Sequence, residues 1–337
     1  MHPTKNTGFD TDELPDTTVD AVVIGGGAAG LNGALMLARS RRSVVVIDSG
    51  TPRNAPATGV RGLLGADGIP PAELLRTGRE EVRRYGGLIV AGEVTSAAPA
   101  AASPDGDPRF TVTLTDGRTV RTRRLLVATG LRDRLPDVAG LARHWGHGVV
   151  HCPYCHGWEV RDEPIGVLAV GPASVHHALL FRQLTEDLTY FTHGTELSED
   201  TRARFTARGI RVVDTPVARI ESTEDAITGV RLSDGQVVPR RVIAVATTML
   251  ARTDGLAALN LPVEDLPHGM GRRFVTGPAG VTSVPGVWVA GNATDPSAQV
   301  GAAAAAGALA GARINAELAT ADTDAALAAA RRGEAAA

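Results

Sequence analysis

The sequence predicts a two-domain α/β protein in which each domain is a doubly wound, parallel sheet covered by helices. Three observations lead to this prediction. Two strand–turn–helix units begin near residues 20 and 165, the short runs between turns are rich in Val and Ile, and 337 residues suffice for two domains. Lys and Arg number 34 against 37 Asp and Glu, a formal net charge of −3. This balance excludes a nucleic-acid-binding protein that relies on a basic surface.

The two ends of the chain carry no targeting or membrane signal. Residues 1–18 are polar and acidic, without the apolar stretch of a signal peptide, and are predicted to form a disordered leader. The richest apolar run, Val300–Ala312, ends at Arg313 and is shorter than the roughly 18 residues of a membrane helix. We therefore expect a cytoplasmic protein that does not enter a membrane, with a flexible, Ala-rich tail over 321–337.

The first element is a strand–turn–helix–strand unit. Asp20–Ile24 predicts a buried strand, Leu31–Ser40 has apolar residues at helical spacing, and Ser43–Ile47 predicts a second strand that ends in Asp48. Three glycines of the turn between the first strand and the helix have the G-x-G-x-x-G spacing of a dinucleotide site.

Each glycine of that turn has a physical role in the motif. Gly25 permits the tight turn, Gly27 lets the backbone approach a diphosphate, and Gly30 lets the helix pack against the strand. The helix N-terminus adds free N–H groups and a partial positive charge. Asp48, 18 residues after Gly30, is spaced to accept hydrogen bonds from a ribose.

The remaining elements follow the same alternation. Pro70 opens a helix to about Tyr85, and Asp116-Gly117 joins two strands of a hairpin. The second unit has a strand at 165–170 and a helix that ends near Gln183. Further strands are predicted at 188–192, 210–213, 242–246 and 286–290, with a second hairpin at 234–235 and a last helix over 298–318. In that last helix, Gly307 and Gly311 are expected to allow close packing on the first sheet.

Two further segments favour FAD as the dinucleotide. Leu125–Gly130 reads as a buried strand followed by Ala-Thr-Gly, which is typical of two-domain flavoproteins. Gly286–Asn292 is similar to their C-terminal flavin strand, G-[VIL]-[FYW]-A-x-G-D, with Asn292 in the place of the Asp. Asn can still donate and accept hydrogen bonds, so this difference leaves the prediction of FAD intact.

The two cysteines of the chain form one C-x-x-C, Cys152-Pro153-Tyr154-Cys155, followed by His156. This spacing also suits covalent haem, which requires export, and a glutaredoxin-like site, which requires a thioredoxin fold. A zinc site could take both cysteines and two of the histidines at 144, 147, 151 and 156. A redox disulfide coupled to a flavin is favoured, because Pro153 stiffens the ring and a helix start lowers the thiolate pKa of Cys152.

With these motifs in place, the chain resembles the low-molecular-weight thioredoxin reductases. The segment His151–Glu159 most resembles the dithiol oxidases of the gliotoxin and holomycin pathways, which close a disulfide in a small molecule with FAD and O2. The resemblance covers most of the chain and implies two Rossmann-like domains, the second inserted in the first. It implies an FAD domain over 19–131 and 251–320, an inserted domain over 132–250, and a homodimer.

The resemblance also implies roles for individual residues. Cys155 would be the thiolate next to the flavin and Cys152 the interchange cysteine. His156 stands where the reductases have a catalytic Asp, and His151 is a weaker candidate base. The other histidines nearby, 144, 147, 176 and 177, are expected at the surface or in packing, and Trp158 either in the cavity wall or buried. The residues expected to bind FAD are Gly25, Gly27, Ala28, Ala29, Gly30, Asp48, Ser49, Arg53, Ala128, Thr129, Gly130, Gly291, Asn292, Gln299 and Val300.

The second strand–turn–helix unit departs from the reductase pattern. The three motif positions hold Ala169, Gly171 and Ser174, so one glycine remains, and Pro172 lacks an N–H that could face a phosphate. The reductases grip the 2′-phosphate of NADPH with arginines after the next strand, whereas 191–194 here contain none. The sequence therefore predicts that tight NADPH binding has been lost.

Three functions remain open at this point. The first is an oxidase that closes a disulfide in a small-molecule dithiol, with O2 as acceptor and a dithiolopyrrolone-like substrate as the preferred class. The second is a thioredoxin reductase that takes electrons from NADPH or from another donor such as ferredoxin. The third is a flavoprotein that senses metal or redox state without catalysis.

Overall fold

The computed structural model describes residues 13–103, 106–224 and 226–336. Residues 1–12 of the predicted leader lie outside the described residues, and 13–18 form no helix or strand. The strands are β1 (Val19–Ile24), β2 (Val44–Asp48), β3 (Leu88–Ala91), β4 (Val94–Ala100), β5 (Arg109–Leu114), β6 (Thr119–Val127), β7 (Leu131–Arg134), β8 (Val149–Val150), β9 (Ile165–Leu168), β10 (Leu188–Phe191), β11 (Arg211–Val213), β12 (Val217–Ser222), β13 (Ile227–Leu232), β14 (Val237–Val238), β15 (Val242–Val245), β16 (Thr248–Ala251), β17 (Val263–Leu266), β18 (Gly271–Phe274) and β19 (Val287–Val289).

Six α-helices lie within these described ranges. They are α1 (Ala28–Arg39), α2 (Pro71–Arg84), α3 (Pro153–His156), α4 (Ala173–Phe181), α5 (Glu199–Ala207) and α6 (Val300–Ala336). Short 3-10 helices occur at Ala142–His144, Trp158–Val160, Ala257–Leu259, Pro267–Gly269, Pro278–Gly280 and Gly291–Ala293.

The first sheet has seven strands and carries the dinucleotide turn. Its order is β3-β2-β1-β6-β5-β4, and β19 also pairs with β6. The strand β1 is parallel to both neighbours, with Val22 opposite Val45 of β2 and Leu125 of β6. Because β1, β2, β6 and β19 are parallel to one another, the turn and loops that follow them meet at one edge of the sheet.

The second sheet is built from the residues between β7 and β16. Its five strands, in the order β11-β10-β9-β15-β8, are all parallel, and a three-stranded antiparallel sheet, β12-β13-β14, packs beside it. The antiparallel pair β7–β16 carries the chain into and out of this region. The prediction of two Rossmann-like units, one inserted in the other, is thus confirmed. The boundaries predicted at 131/132 and 250/251 fall within this strand pair.

The last helix is longer than the 298–318 that the sequence predicts. It runs from Val300 to Ala336 and includes the described part of the tail 321–337, whose flexibility stays a prediction. Alanine is the strongest helix former, and Asp322 on this helix pairs with Arg42 at 2.6 Å and with Arg123 at 2.7 Å.

Two glycines in α6 allow its backbone to lie against α1, whereas the sequence predicts that they pack on the first sheet. A Cβ on Gly307 would lie 1.9 Å from the carbonyl oxygen of Ala29, and one on Gly311 would lie 2.5 Å from that of Gly33. Asn32 adds a hydrogen bond to the carbonyl of Ala304 at 3.0 Å. The start of α6 is therefore held beside the start of α1. Among the described residues, no helix is long and apolar enough to cross a bilayer.

Candidate functional site

One cavity of about 820 Å³ extends from the glycine turn to the cysteine pair. This volume lies within the range of small-molecule and cofactor sites. Two of the predicted FAD residues, Gly30 and Gly291, do not line it. The predicted residues that do are Gly25, Gly27, Ala28, Ala29, Asp48, Ser49, Arg53, Ala128, Thr129, Gly130, Asn292, Gln299, Val300, His151, Cys152, Cys155 and His156.

Gly30 and Gly291 lie directly against two residues of the cavity wall, Gly25 and Ala29. A Cβ on Gly30 would lie 1.8 Å from the carbonyl oxygen of Gly25, and one on Gly291, where φ is +78°, would lie 2.8 Å from the Cβ of Ala29. A side chain at either position would push α1 away from its neighbours. Around Gly27, in contrast, no protein atom comes within 4 Å of the Cβ position. This open backbone at the start of α1 fits a diphosphate.

The carboxylate of Asp48 is buried at the end of β2. It accepts hydrogen bonds from the N–H of Gly50 at 3.2 Å and from the guanidinium of Arg79 at 3.1 Å. Beside it, Arg252 donates to the hydroxyl and the carbonyl of Thr51, each at 3.0 Å, and lines the cavity. A carboxylate with arginines nearby fits the ribose and diphosphate of a dinucleotide, and FAD supplies both.

Arg53 links the dinucleotide end of the cavity to its cysteine end. Its guanidinium makes two hydrogen bonds to Asp133, at 2.7 and 2.8 Å, and Thr247 donates to the same carboxylate at 2.6 Å. Burial raises the pKa of Asp133, but the bonds from Arg53 and Thr247 lower it further, so the carboxylate stays ionised. The positive charge of Arg53 favours the thiolate form of both Cys152 and Cys155.

The cysteine pair begins the single-turn helix α3. Cys152 is the N-cap, Pro153 is the first helical residue, and the Cys152 sulfur accepts the N–H of Cys155 at 3.2 Å. Both cysteines are free thiols and half-buried. The hydrogen bond from the Cys155 thiol lowers the pKa of Cys152 to about 7, helped by backbone N–H groups and opposed by burial. The same bond, together with burial, raises the pKa of Cys155.

Near neutral pH the dithiol therefore keeps its proton on Cys155 and its negative charge on Cys152. This distribution agrees with the predicted lowering of the Cys152 pKa and with a nucleophilic Cys152. The predicted role of Cys155 as a thiolate requires that Cys152 first forms a covalent bond to another sulfur. The hydrogen bond that raises the pKa of Cys155 is then lost.

Both candidate bases stand in the cavity wall as neutral imidazoles. Burial lowers the pKa of His151 and of His156 below the usual value of 6.5. The Nδ1 atom of His151 lies 3.2 Å from the carbonyl oxygen of Val245 and must carry the hydrogen, so Nε2 keeps a lone pair. The Nδ1 atom of His156 is buried with no hydrogen-bond partner among the described residues. Each ring can accept a proton.

Several predictions about nearby residues need correction. Trp158 is 67% exposed beneath the guanidinium of Arg161, so it is neither buried nor part of the cavity wall. His177 is buried, as a packing residue would be, but it also lines the cavity.

Sequence reasoning missed three residues at the site, Arg79, Trp145 and Arg252. Each of them approaches the site from a segment without a motif.

The second strand–turn–helix unit uses its polar groups internally. The hydroxyl of Ser174 accepts the N–H of Val170 at 3.0 Å, and Pro172 is the N-cap of α4. After β10, Nδ1 of His193 accepts the N–H of Val217 at 3.1 Å. The Ser174 hydroxyl and the His193 ring are thus already bonded within the protein, and Pro172 has no N–H to offer a phosphate. In the described ranges, no group of three or more His, Cys, Asp and Glu side chains is arranged to hold a metal ion.

Comparison with known proteins places this cavity in a family context. Residues 19–310 match the family described as pyridine nucleotide-disulphide oxidoreductase. The chain is 35% identical over 283 residues to thioredoxin reductase tcpT of Claviceps purpurea, covering 81% of this chain and 86% of that one. It is 33% identical over 311 residues to thioredoxin reductase sirT of Leptosphaeria maculans, covering 88% and 93%. The crystal structure of HlmI superposes with a TM-score of 0.88 at 44% identity, covering 96% and 99%.

Proposed function

The chain belongs to the pyridine nucleotide-disulphide oxidoreductase family and is a thioredoxin reductase-like FAD protein, and we propose that it is a dithiol oxidase. It would close a disulfide within a small-molecule dithiol, with O2 as the electron acceptor. The observation that carries this proposal is the continuous cavity that joins the dinucleotide turn to Cys152 and Cys155. The reactive thiolate and the residues expected to bind the cofactor line the same cavity.

The first step is thiol–disulfide exchange at the enzyme disulfide Cys152–Cys155. A substrate thiolate attacks the sulfur of Cys152, a mixed disulfide forms, and Cys155 leaves as a thiolate. The second substrate thiolate then attacks the substrate sulfur bound to Cys152 and closes the product disulfide. Cys152 is expelled in this step as a thiolate, which the backbone N–H of Cys155 and the positive charge of Arg53 stabilise.

The two substrate protons need acceptors within the cavity. Burial keeps His156 neutral, and its buried Nδ1 has no hydrogen-bond partner among the described residues. His156 takes the proton of one substrate thiol. His151 is the second candidate, because its hydrogen bond to the Val245 carbonyl leaves the Nε2 lone pair available. Neither histidine then has to lose a proton before it can act at pH 7.

When bound, FAD would supply the redox chemistry, as a two-electron acceptor for the Cys152–Cys155 dithiol and a two-electron donor to O2, which becomes H2O2. Overall, one dithiol and one O2 become one disulfide and one H2O2. The glycine turn 25–30 and Asp48 would hold the diphosphate and a ribose. The start of α6, at Gln299 and Val300, would favour negative charge on the reduced ring.

The second candidate function is a thioredoxin-disulfide reductase that draws electrons from NADPH or from ferredoxin. The two fungal relatives, which are named thioredoxin reductases, favour it. The turn around Ser174 argues against NADPH, because the Ser174 hydroxyl already accepts the N–H of Val170. A dithiolopyrrolone-like substrate, a homodimer and a cytoplasmic location remain predictions.

Oxygen consumption separates the two functions. The purified FAD protein is mixed in air with a panel of small dithiols, with and without NADPH, and O2 uptake and H2O2 are measured. The oxidase predicts uptake that depends on the dithiol and is indifferent to NADPH. Rapid anaerobic bleaching of the flavin by NADPH, with no dithiol-dependent O2 uptake, would overturn the proposal in favour of the reductase.

A further inference from the structure

His177 connects helix α4 to the segment that carries the cysteines. It lies midway along α4, is buried, and its Nε2 donates a short hydrogen bond to the backbone carbonyl of His151. Its ring meets Phe181 edge-on, with the ring centroids 4.9 Å apart and the planes at 82°. Because a carbonyl can only accept, the hydrogen is on Nε2. Nδ1 is buried with no partner among the described residues.

The bond from His177 holds the residue that directly precedes Cys152. The ring of His151 is fixed on one side by the carbonyl of Val245, at the end of β15, and its backbone carbonyl is fixed on the other side by His177. The peptide between His151 and Cys152 therefore has little freedom to rotate. Its orientation sets where the Cys152 sulfur lies relative to the N–H of Cys155, 3.2 Å away.

We propose that His177 is a positioning residue for the redox pair, holding the His151–Cys152 peptide so that the Cys152 sulfur keeps its hydrogen bond at the start of α3. This inference rests on the proposed function, since it gives α4 a role in dithiol oxidation. In this chain the helix that follows the altered second turn serves the cysteines through His177. The bond is independent of pH near neutrality, because burial lowers the pKa of His177 to about 4.

The surrounding charges define what a pH experiment would report. Cys155 and Arg53 act on Cys152, while His151 and His176 act on His177. Substitution of His177 leaves Arg53 and the Cys155 thiol in place. A change in Cys152 reactivity would then come from the position of its sulfur relative to those groups and to the N–H of Cys155.

The test compares two neighbouring histidines on one helix. In His177→Phe the donor is lost, whereas in His177→Gln the side-chain amide can take the place of Nε2–H. His176→Phe is the matched control, because His176 is exposed on the same helix. Each FAD-loaded protein is reduced anaerobically, and alkylation of Cys152 by iodoacetamide is followed against pH by peptide mass spectrometry. Flavin reduction by dithiothreitol is measured in parallel.

We expect His177→Phe to raise the midpoint of Cys152 alkylation by about 0.5–1 pH unit and to slow flavin reduction about tenfold, with a smaller change in the KM for dithiothreitol. His177→Gln should restore both values to within about twofold, or about 0.3 pH unit, of the wild type, and His176→Phe should leave them unchanged. A wild-type midpoint and rate in folded His177→Phe would overturn the proposal, as would equal losses in the Phe and Gln variants.

Two provisions keep the outcome interpretable. If His177→Phe does not fold, His177→Asn replaces it, because the shorter amide fails to reach the His151 carbonyl. The alkylation midpoint needs only the cysteine pair and no turnover. A protein that consumes no O2 but shows the shifted midpoint would therefore refute the oxidase and retain the positioning role. An unshifted alkylation midpoint in a variant of an active oxidase would refute the positioning role and retain the oxidase.

Discussion

Arg61, which lines the cavity, forms an ion pair with Glu159: the guanidinium Nε of Arg61 lies 2.9 Å from a carboxylate oxygen of Glu159. Arg61 belongs to the segment between β2 and α2 of the FAD-binding part, and Glu159 follows the cysteine helix α3. The side chains are 28% and 33% exposed. Burial lowers the pKa of His156 most. The negative charge of Glu159 raises this pKa, and the positive charge of Arg61 lowers it, each by less than burial does. The pair both links the two parts and acts on the candidate base.

Glu159→Gln is expected to produce a small but specific effect. A half-exposed ion pair contributes about 0.5–1 kcal/mol, so the rate of flavin reduction at low salt should fall about two- to fivefold. The pKa of His156 should move further down, which extends dithiol oxidation to lower pH because the neutral ring is the proton acceptor. The measurement is a pH–rate profile at two ionic strengths. Glu163→Gln, in an exposed pair with Arg241 outside the cavity, should match the wild type.

Replacing either cysteine should abolish turnover, but with different residual chemistry. Cys155→Ser should lose O2 uptake by more than about 100-fold, yet retain a Cys152 that is alkylated and that forms a stable mixed disulfide with an added disulfide reagent such as 2,2′-dithiodipyridine, which supplies the oxidised sulfur. Cys152→Ser should lose both. Oxygen-electrode assays and intact-mass analysis distinguish these outcomes. A Cys155→Ser enzyme that oxidised dithiols at the normal rate would be incompatible with the proposed scheme.

The reactivity of Cys152 should follow pH with a midpoint of about 7, well below that of an ordinary thiol. The positive charge of Arg53 favours the thiolate, so Arg53→Met should raise this midpoint by about 0.5–1 pH unit. Asp133→Asn is the matched control, because it breaks the same ion pair but retains the charge of Arg53. If both variants raised the midpoint equally, loosening of the loop rather than charge would be responsible.

Two glycine substitutions in one turn should separate folding from cofactor binding. Gly30→Ala puts a Cβ 1.8 Å from the Gly25 carbonyl oxygen and should reduce the free energy of unfolding of the FAD-free protein by about 1–3 kcal/mol. Gly27→Ala meets no protein atom within 4 Å, so the FAD-free protein should keep its stability. Its Cβ would still crowd a bound diphosphate and lower the FAD content. Thermal melts with and without FAD, and the flavin absorbance per protein, test both expectations.

Acid stability should depend on Asp107, which contacts three arginines. Burial raises the pKa of Asp107, but hydrogen bonds from Arg109, Arg124 and Arg123 lower it to about 2. Its folded pKa is therefore below the unfolded value, and its contribution is full above about pH 4 and disappears as the pH falls towards 2. The ion pair with Arg124, which is 2% exposed, is the buried part of this cluster.

Asp107→Asn should thus lower the free energy of unfolding by about 3 kcal/mol at pH 7, since Arg124 then keeps only the carboxylate of Glu317. The difference from the wild type should shrink between pH 4 and pH 2. Urea titrations across this range measure it. Asp116→Asn, in the exposed hairpin beside Arg118, should behave nearly as the wild type does. A constant difference between the two proteins down to pH 2 would contradict the assignment.

The features predicted best were those that depend on residues close together in the sequence. The turn Gly25–Gly30, the buried strands around it and the pair Cys152–Cys155 each impose a backbone or side-chain requirement within a few positions, so the sequence shows them directly. The resemblance carried by the same motifs predicted the inserted second unit, which the β7–β16 pair confirms. The length of the last helix was underestimated, because a run of alanines carries little pattern and the ion pairs of Asp322 with Arg42 and Arg123 join residues distant in the chain.

By itself, the sequence determined that this chain would fold as two α/β units, form a glycine turn of dinucleotide type at residues 25–30 and present two thiols three positions apart. The tertiary structure alone decided which side chains share their cavity. Arg252, directly after β16, and His177, on α4, line it although neither is a motif residue, and Arg79 on α2 contacts the lining residue Asp48. The bond from His177 to the His151 carbonyl spans 26 positions. A contact between distant residues constrains neither of them locally, so it leaves no periodic or spaced signal and emerges only when packing brings the segments together.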